Sequence, residues 1–260
     1  MRRSLRQAAR DGERLSVTSH DGLRLAARLV PPTEGEPRCI VAMFHGYRSS
    51  HAIDFGIIAE ELRRLGFALL LADQRAHGES DGMTITFGIN ESKDCLSWID
   101  YAIKRFGEDS KLIITGVSMG ASTVMLAAGE KLPKNVVCVL ADCGYTSAKE
   151  IIKKVIDEMG LPSKLLYPFV KLGAKTFGNF DPDENSPLEA MKKSKVPVIF
   201  IHGDNDTFVP CDMSRRLYEA CASEKKKLVT IKGAGHGLAF PVDKKLYLDS
   251  LRDFQRECGF

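Results

Sequence analysis

At 260 residues, with 44% apolar and 27% charged residues, the chain lies in the ordinary globular range and is long enough for one large α/β domain. Its 37 basic and 34 acidic residues leave a formal charge of only +3, which argues against a general nucleic-acid or membrane-surface binder and points to a small-molecule substrate. No run of about 18 apolar residues is available to span a bilayer, and the N-terminus, Met1-Arg-Arg-Ser-Leu-Arg-Gln, has basic residues without the apolar segment of a signal peptide. The seven cysteines are scattered without C-x-x-C spacing, and Cys39 and Cys138 sit in apolar runs, so a reducing, cytoplasmic setting is expected.

After a short tail, taken as residues 1–13, the segments Arg14 to Ser19 and Leu23 to Leu29 flank His20-Asp21-Gly22, a hairpin signal that predicts an antiparallel edge. Five apolar runs follow: Cys39 to Phe44, Ala68 to Ala72, Leu112 to Thr115, Val136 to Ala141 and Val198 to Ile201. They are short and show no clean alternation, as expected of parallel strands covered on both faces. Helical patterns separate them: Ile53 to Leu65, closed by Gly66; Glu91 to Phe106 after a capping Asn90; and Ser118 to Lys131. Repeated strand and helix units predict a doubly wound α/β fold with a mostly parallel sheet.

One stretch breaks the alternation. Between Tyr145 and Lys195 the apolar residues of Ile151 to Met159 and Leu165 to Leu172 recur at helical spacing, ahead of the turn-rich Gly178-Asn-Phe-Asp-Pro-Asp-Glu-Asn-Ser-Pro187. About fifty residues is generous for one crossover. Residues 145–195 are therefore expected to form a helical cap on a core made of 14–144 and 196–260, with Leu165, Leu166 and Phe169 shaping a substrate pocket.

The most specific chemical signal is Gly116-Val-Ser-Met-Gly120, which follows a strand and opens a helix, the context of a nucleophile elbow. A serine hydroxyl is a weak nucleophile at neutral pH and needs a base, which in turn needs an orienting carboxylate. Of six histidines, His236 in Gly233-Ala-Gly-His-Gly237 lies last, in a loop after the apolar run Leu228 to Ile231, as the chain order Ser, Asp, His requires. His20 and His51 read as surface residues, and His77 and His202 as structural or near the site. For the acid, Ile199-Phe-Ile-His-Gly-Asp-Asn-Asp206 offers two aspartates. Asp206 has advanced into the loop, whereas Asp204 suits a turn held by backbone hydrogen bonds. Asp142, at the end of the preceding strand, is the competing acid. Negative charge developing on the attacked carbonyl calls for backbone donors, expected at Met119 and at Tyr47 after Gly46.

Together, His45-Gly46-Tyr47, Asp73-Gln-Arg-Ala-His-Gly-Glu-Ser80, Gly116-Val-Ser-Met-Gly120, His202-Gly-Asp-Asn-Asp206 and Gly235-His236 resemble the α/β-hydrolase superfamily over Leu15 to Phe254. They are most similar to its short-cap esterases, among them cinnamoyl and feruloyl esterases, monoacylglycerol lipases and serine aminopeptidase-like hydrolases, and Asp142-Cys-Gly-Tyr-Thr-Ser147 fits that branch. The resemblance implies the same acid and the same oxyanion donors, no metal and no organic cofactor. Members with aspartate at the elbow are dehalogenases or epoxide hydrolases, and serine at position 118 argues against both. The loop with one glycine resembles enzymes for short or medium acyl chains. Ester cleavage through an acyl-enzyme is the expected reaction; peptide or amide cleavage, acyl transfer and a non-catalytic binding role are the alternatives.

Overall fold

In the computed structural model, which describes residues 12–259, eight strands form one sheet: β1 (Glu13–Thr18), β2 (Arg24–Val30), β3 (Cys39–Phe44), β4 (Phe67–Asp73), β5 (Leu112–Val117), β6 (Val136–Asp142), β7 (Val198–Gly203) and β8 (Lys226–Ile231). Their order is β1-β2-β4-β3-β5-β6-β7-β8. The hairpin β1–β2 is antiparallel, β2 meets β4 antiparallel, and every later pairing is parallel. Glu13 opens β1, so the expected tail is one residue too long, and residues 1–11 lie outside the described residues.

The lack of alternation in the apolar runs follows from burial on both faces. In β3, Ile40, Ala42 and Phe44 join one core cluster while Val41 and Met43 join the other. The first cluster is covered by α3 (Ile89–Phe106), α4 (Met119–Ala128), α7 (Pro187–Met191) and α8 (Cys211–Ala220), through residues such as Trp98, Val124, Met191 and Leu217. The second lies under α2 (Ile58–Arg64), α9 (Ala239–Val242) and α10 (Lys244–Cys258), through Ile58, Leu62, Phe240, Leu248 and Phe254.

Three helix expectations change. The pattern from Ile53 to Leu65 is two pieces, α1 (His51–Asp54) and α2, because Phe55 turns inward to 2% exposure and Gly56 packs where a Cβ would lie 2.6 Å from the Ala52 carbonyl oxygen. The N-cap of α3 is not Asn90 but Gly88, at φ 96°, and the Glu91 carboxylate accepts the Gly88 N–H at 2.9 Å and the Thr86 N–H at 2.7 Å. The side chain at the third helical position thus reaches back, as in a capping box. Helix α4 stops at Gly129 rather than Lys131, pressed against Ala190 of α7, where an added Cβ would be 2.7 Å from the Ala190 Cβ.

Between β6 and β7 lie α5 (Ala148–Glu158) and α6 (Ser163–Phe177), followed by α7. Ser147 caps α5 by accepting the Glu150 N–H, and Ser186 caps α7 by accepting the Glu189 N–H. The last part of the 145–195 stretch packs into the first core cluster through Met191.

Candidate active site

The loops at the carboxyl ends of β3, β5, β7 and β8 converge on Ser118. Its backbone sits at φ 55°, outside the comfortable range of a side-chain-bearing residue, and is held there by close packing. A Cβ on Gly116 would fall 2.0 Å from the Gly120 carbonyl carbon, and one on Gly120 would fall 1.8 Å from the Phe44 carbonyl oxygen. Only glycine fits at both places, and the turn between them is forced. The Ser118 N–H is anchored on the Asp142 carbonyl at 2.8 Å.

Across the sheet edge, His236 Nε2 lies 2.9 Å from Ser118 Oγ, and His236 Nδ1 lies 2.7 Å from Asp206 Oδ2. An ionised carboxylate only accepts hydrogen bonds, so Nδ1 carries the proton and Nε2 is left to accept from the serine hydroxyl. Asp206 Oδ1 accepts the backbone N–H groups of Phe208 at 3.0 Å and Val209 at 2.8 Å. Burial alone would raise the Asp206 carboxyl, but the hydrogen bonds from His202, His236 and Val209 outweigh it and hold the group well below the usual carboxylate range.

The flanking residues explain why this geometry is stable. His202, fully buried, places Nε2 2.8 Å from the Val209 carbonyl and 3.3 Å from Asp206 Oδ2, while its Nδ1 meets the Ser214 hydroxyl at 2.6 Å. Asp204 accepts the Gly233 N–H at 2.6 Å and so ties the β7 loop to the loop that carries His236. Phe208 covers the His236 ring edge-on, with centroids 5.0 Å apart. Asp142 makes no hydrogen bond to His236; its Oδ2 accepts the Tyr247 hydroxyl at 3.0 Å, and burial pushes its carboxyl up to about 6.

The Met119 and Tyr47 amides border the same space, and among the described residues neither donates to a protein acceptor. The Tyr47 peptide plane is fixed from behind. His45 accepts the Gln74 N–H on Nε2 at 3.2 Å, so its Nδ1 donates to the Gly46 carbonyl at 2.8 Å, and in a trans peptide the Tyr47 N–H then points the opposite way. Asp54 accepts the Gly46 N–H and the Ser49 hydroxyl, both at 2.6 Å. His77 Nε2 accepts the Arg48 N–H at 3.0 Å, where Arg48 adopts φ 50°. Asp54 and Gln74 were missed by sequence reasoning. The first lies inside a helical pattern and the second inside a motif that gives no sign of which neighbour it holds. His51, expected at the surface, is partly buried, with Nδ1 3.2 Å from Asp73 Oδ1.

The structure does not bring Leu165 or Phe169 into this constellation. They are 64% and 67% exposed on α6, and Leu166 is half-buried. Helix α6 is secured through Tyr167, whose hydroxyl donates to Asp183 at 2.6 Å and whose ring lies under the ammonium groups of Lys149 and Lys153.

Among the described residues, two groups of side chains have donor atoms close enough for a metal, Cys143 with Asp206 and His236, and His20 with Asp21 and Asp94. Both sets are chemically committed. In the first, Asp206 and His236 bind each other and burial keeps the Cys143 thiol protonated. In the second, Arg75 takes both carboxylates, Asp94 at 2.6 and 2.7 Å and Asp21 at 2.8 and 3.1 Å.

A strand, elbow and helix at the centre of this sheet define an α/β hydrolase. More narrowly, the chain belongs to the prolyl oligopeptidase family, whose profile matches residues 62–259. It is 29% identical over 191 residues to the uncharacterized protein YqkD of Bacillus subtilis, covering 73% of this chain and 62% of that protein, so it spans less than two thirds of that relative. The Mycobacterium tuberculosis protein Rv2307c is 25% identical over 247 residues, covering 95% of this chain and 80% of the relative. Among solved structures, the Pyrococcus furiosus esterase Pf2001 superposes with TM-score 0.74 at 24% identity, covering 95% of this chain and 92% of the other. Est1E from Butyrivibrio proteoclasticus, with ferulic acid bound, gives 0.67 at 23%, covering 94% and 98%. At these identities the likeness is one of fold. Among the described residues no helix is long and apolar enough to cross a membrane.

Proposed function

We propose that the chain is a serine hydrolase of carboxylic esters, with Ser118 as nucleophile, His236 as general base and Asp206 as the carboxylate that orients and stabilises the imidazolium. The observation that carries this reading is the unbroken relay from hydroxyl to imidazole to ionised carboxylate at 2.9 and 2.7 Å. Ser118 Oγ attacks the ester carbonyl as its proton passes to His236 Nε2. The oxyanion is met by the Tyr47 and Met119 amides, and the same proton is delivered to the departing alcohol. Water then attacks the acyl-enzyme as His236 Nε2 takes its proton, and that proton returns to Ser118 Oγ as the acyl–Oγ bond breaks and the acid is released. The low-lying Asp206 carboxyl stays ionised throughout.

Esterases among the proteins of similar fold support an ester substrate, whereas the prolyl oligopeptidase family supports amide or peptide cleavage by the same relay. The small net charge favours a small-molecule partner over nucleic acid, and free cysteines, six of them buried, suit a reducing, cytoplasmic setting. Turnover of p-nitrophenyl acyl esters should exceed that of aminoacyl p-nitroanilides after correction for the uncatalysed rates. Faster cleavage of the anilides would reassign the chain as a peptidase, and inactivity on both would overturn the hydrolase reading.

A further inference from the structure

The two faces of the sheet are not packed alike. In β5 and β6, Leu112, Ile114 and Val139, facing α3, α4 and α8, are at 0% exposure, while Ile113 and Leu140, facing α2 and α10, retain 9% and 7% although they lie on central strands under a helix layer. The space that exposes them is a cavity of about 190 Å³. Its floor is a grid set by strand register. Val41 pairs with Ile113 and Ile113 with Cys138, Met43 pairs with Thr115 and Thr115 with Leu140, and Val117 pairs with Asp142. Its roof is α2 and α10, and its deep end reaches Phe67 and Phe254.

One end of this cavity adjoins the candidate active site. Val117 precedes Ser118, Gly237 follows His236, and Asp54 holds the Gly46 amide of the loop that carries Tyr47; all three line the cavity. Ile53 and Leu238, 69% and 50% exposed, stand at the same end and are open to solvent. Unfilled volume of this kind weakens a core that closer packing would strengthen, so its persistence beside a nucleophile calls for a guest. The lining is mostly aliphatic and aromatic, with Asp54, Thr115, Asp142, Arg252 and Gln255 as its main polar members, and a cavity of such size with largely apolar walls takes up apolar molecules.

We propose that this cavity is the acyl site, receiving a linear, unbranched aliphatic chain that runs from the Ser118 ester along β5 toward Phe67 and Phe254. The proposal rests on the serine-hydrolase reading above and adds the substrate class. From Val117 to Ile113 the strand covers about 13 Å at 3.3 Å per residue. An extended alkyl chain advances about as much per three bonds as an extended backbone does per residue, so this length accommodates on the order of ten carbons. Thr115 and Cys138 are the small residues of the floor and leave room along the axis, while Leu140 and Ile113 point large side chains into it. The exposed apolar side of α6 plays no part in this site.

The test compares kcat/KM on p-nitrophenyl acetate, octanoate and decanoate for the full chain and for Leu140→Phe and Ile113→Phe, with the melting temperature of each. Phenylalanine at either position occupies the cavity from its floor. The wild type should prefer octanoate and decanoate to acetate, and each filled variant should lower the decanoate-to-acetate ratio about tenfold or more, a loss in the range one or two excluded methylenes can produce. The melting temperature should hold or rise, because a void is being filled. An unchanged ratio in a folded variant would overturn the proposal. If both variants fold poorly, calorimetric titration of wild type and Ser118→Ala with 1-decanol decides the matter. The neutral alcohol avoids repulsion from Asp54, and saturable binding to both proteins supports the cavity site, whereas absence of binding overturns it. Wild type that hydrolyses acetate but neither prefers nor binds the long chain removes the acyl site and leaves the hydrolase standing. Wild type that binds decanol but hydrolyses no ester removes the hydrolase reading and leaves an alkyl-binding site.

Discussion

The loops around Ser118 and the α5–α6 arm are built on opposite terms. Around Ser118, both oxygens of Asp206 and both ring nitrogens of His45, His77, His202 and His236 have partners, and an unfavourable φ is imposed by backbone packed too closely for any Cβ. On α6, Leu165, Phe169, Leu172 and Phe177 are exposed, and the ion pairs of Lys171 and Lys175 with Asp181 and Asp183 are ones that water can replace. Precise chemistry needs an over-determined frame, whereas a helix face open to solvent does not. Substitutions should therefore act through activity at the first region and barely at all at the second.

The largest effect is expected at the base. His236→Ala should cost about 10⁴-fold or more in kcat on any ester, because members of a triad act as a unit, with circular dichroism and melting temperature close to wild type. Retention of a tenth of the activity would place the base elsewhere. Next comes the orienting acid. Asp206→Asn keeps the size but loses the charge facing the imidazolium, and a loss on the order of a thousandfold is expected by comparison with other triads. Asp142→Asn keeps an acceptor for the Tyr247 hydroxyl and removes a charge that reaches His236 only without a hydrogen bond, so it should cost less than about tenfold. The reverse ranking in steady-state kinetics would make Asp142 the acid.

Asp142 also separates the two regions by pH. Its carboxyl titrates near 6 in the folded chain because burial disfavours the charged form, above the value of about 3.9 expected unfolded. The folded state therefore binds the proton more tightly, and the stability this lends below pH 4 is lost as pH rises through 6. Asp142→Asn cannot ionise and should gain on wild type between pH 4 and pH 8, by about 3 kcal/mol at most. Denaturant melts showing the same difference at both pH values would contradict this origin. The smallest effect belongs to the arm. Leu165→Ala with Phe169→Ala removes side chains already in water and should shift the melting temperature by no more than about 2 °C and leave the relative rates on acetate and octanoate esters within about twofold. A selective loss on longer esters would return substrate selection to the cap.

Much of this was legible in the sequence because it depends on local chemistry. Glycines at 116 and 120 around Ser118, the hairpin at His20-Asp21-Gly22, and Asp206 set beyond Asp204 each declare a backbone requirement within a few residues. What could not be read depends on partners distant in the chain. The break at Phe55 follows from a side chain finding the core, the cap of α3 from Glu91 reaching back to Thr86, and the roles of Asp54 and Gln74 from a loop that only the folded sheet brings to them. The apolar residues of Leu165 to Leu172 recur at helical spacing, and they do lie on a helix. Which side would be covered was not encoded, since Leu165 and Phe169 look the same to sequence whether they face a pocket or solvent.

Covalent capture tests the central claim most directly. Wild-type protein treated with a fluorophosphonate should gain one adduct by intact mass, mapped by peptide sequencing to Ser118, with ester hydrolysis falling in proportion to labelling, and Ser118→Ala should take up none. An adduct on any other residue, or full hydrolysis surviving complete modification of Ser118, would contradict the assignment of the nucleophile and with it the mechanism.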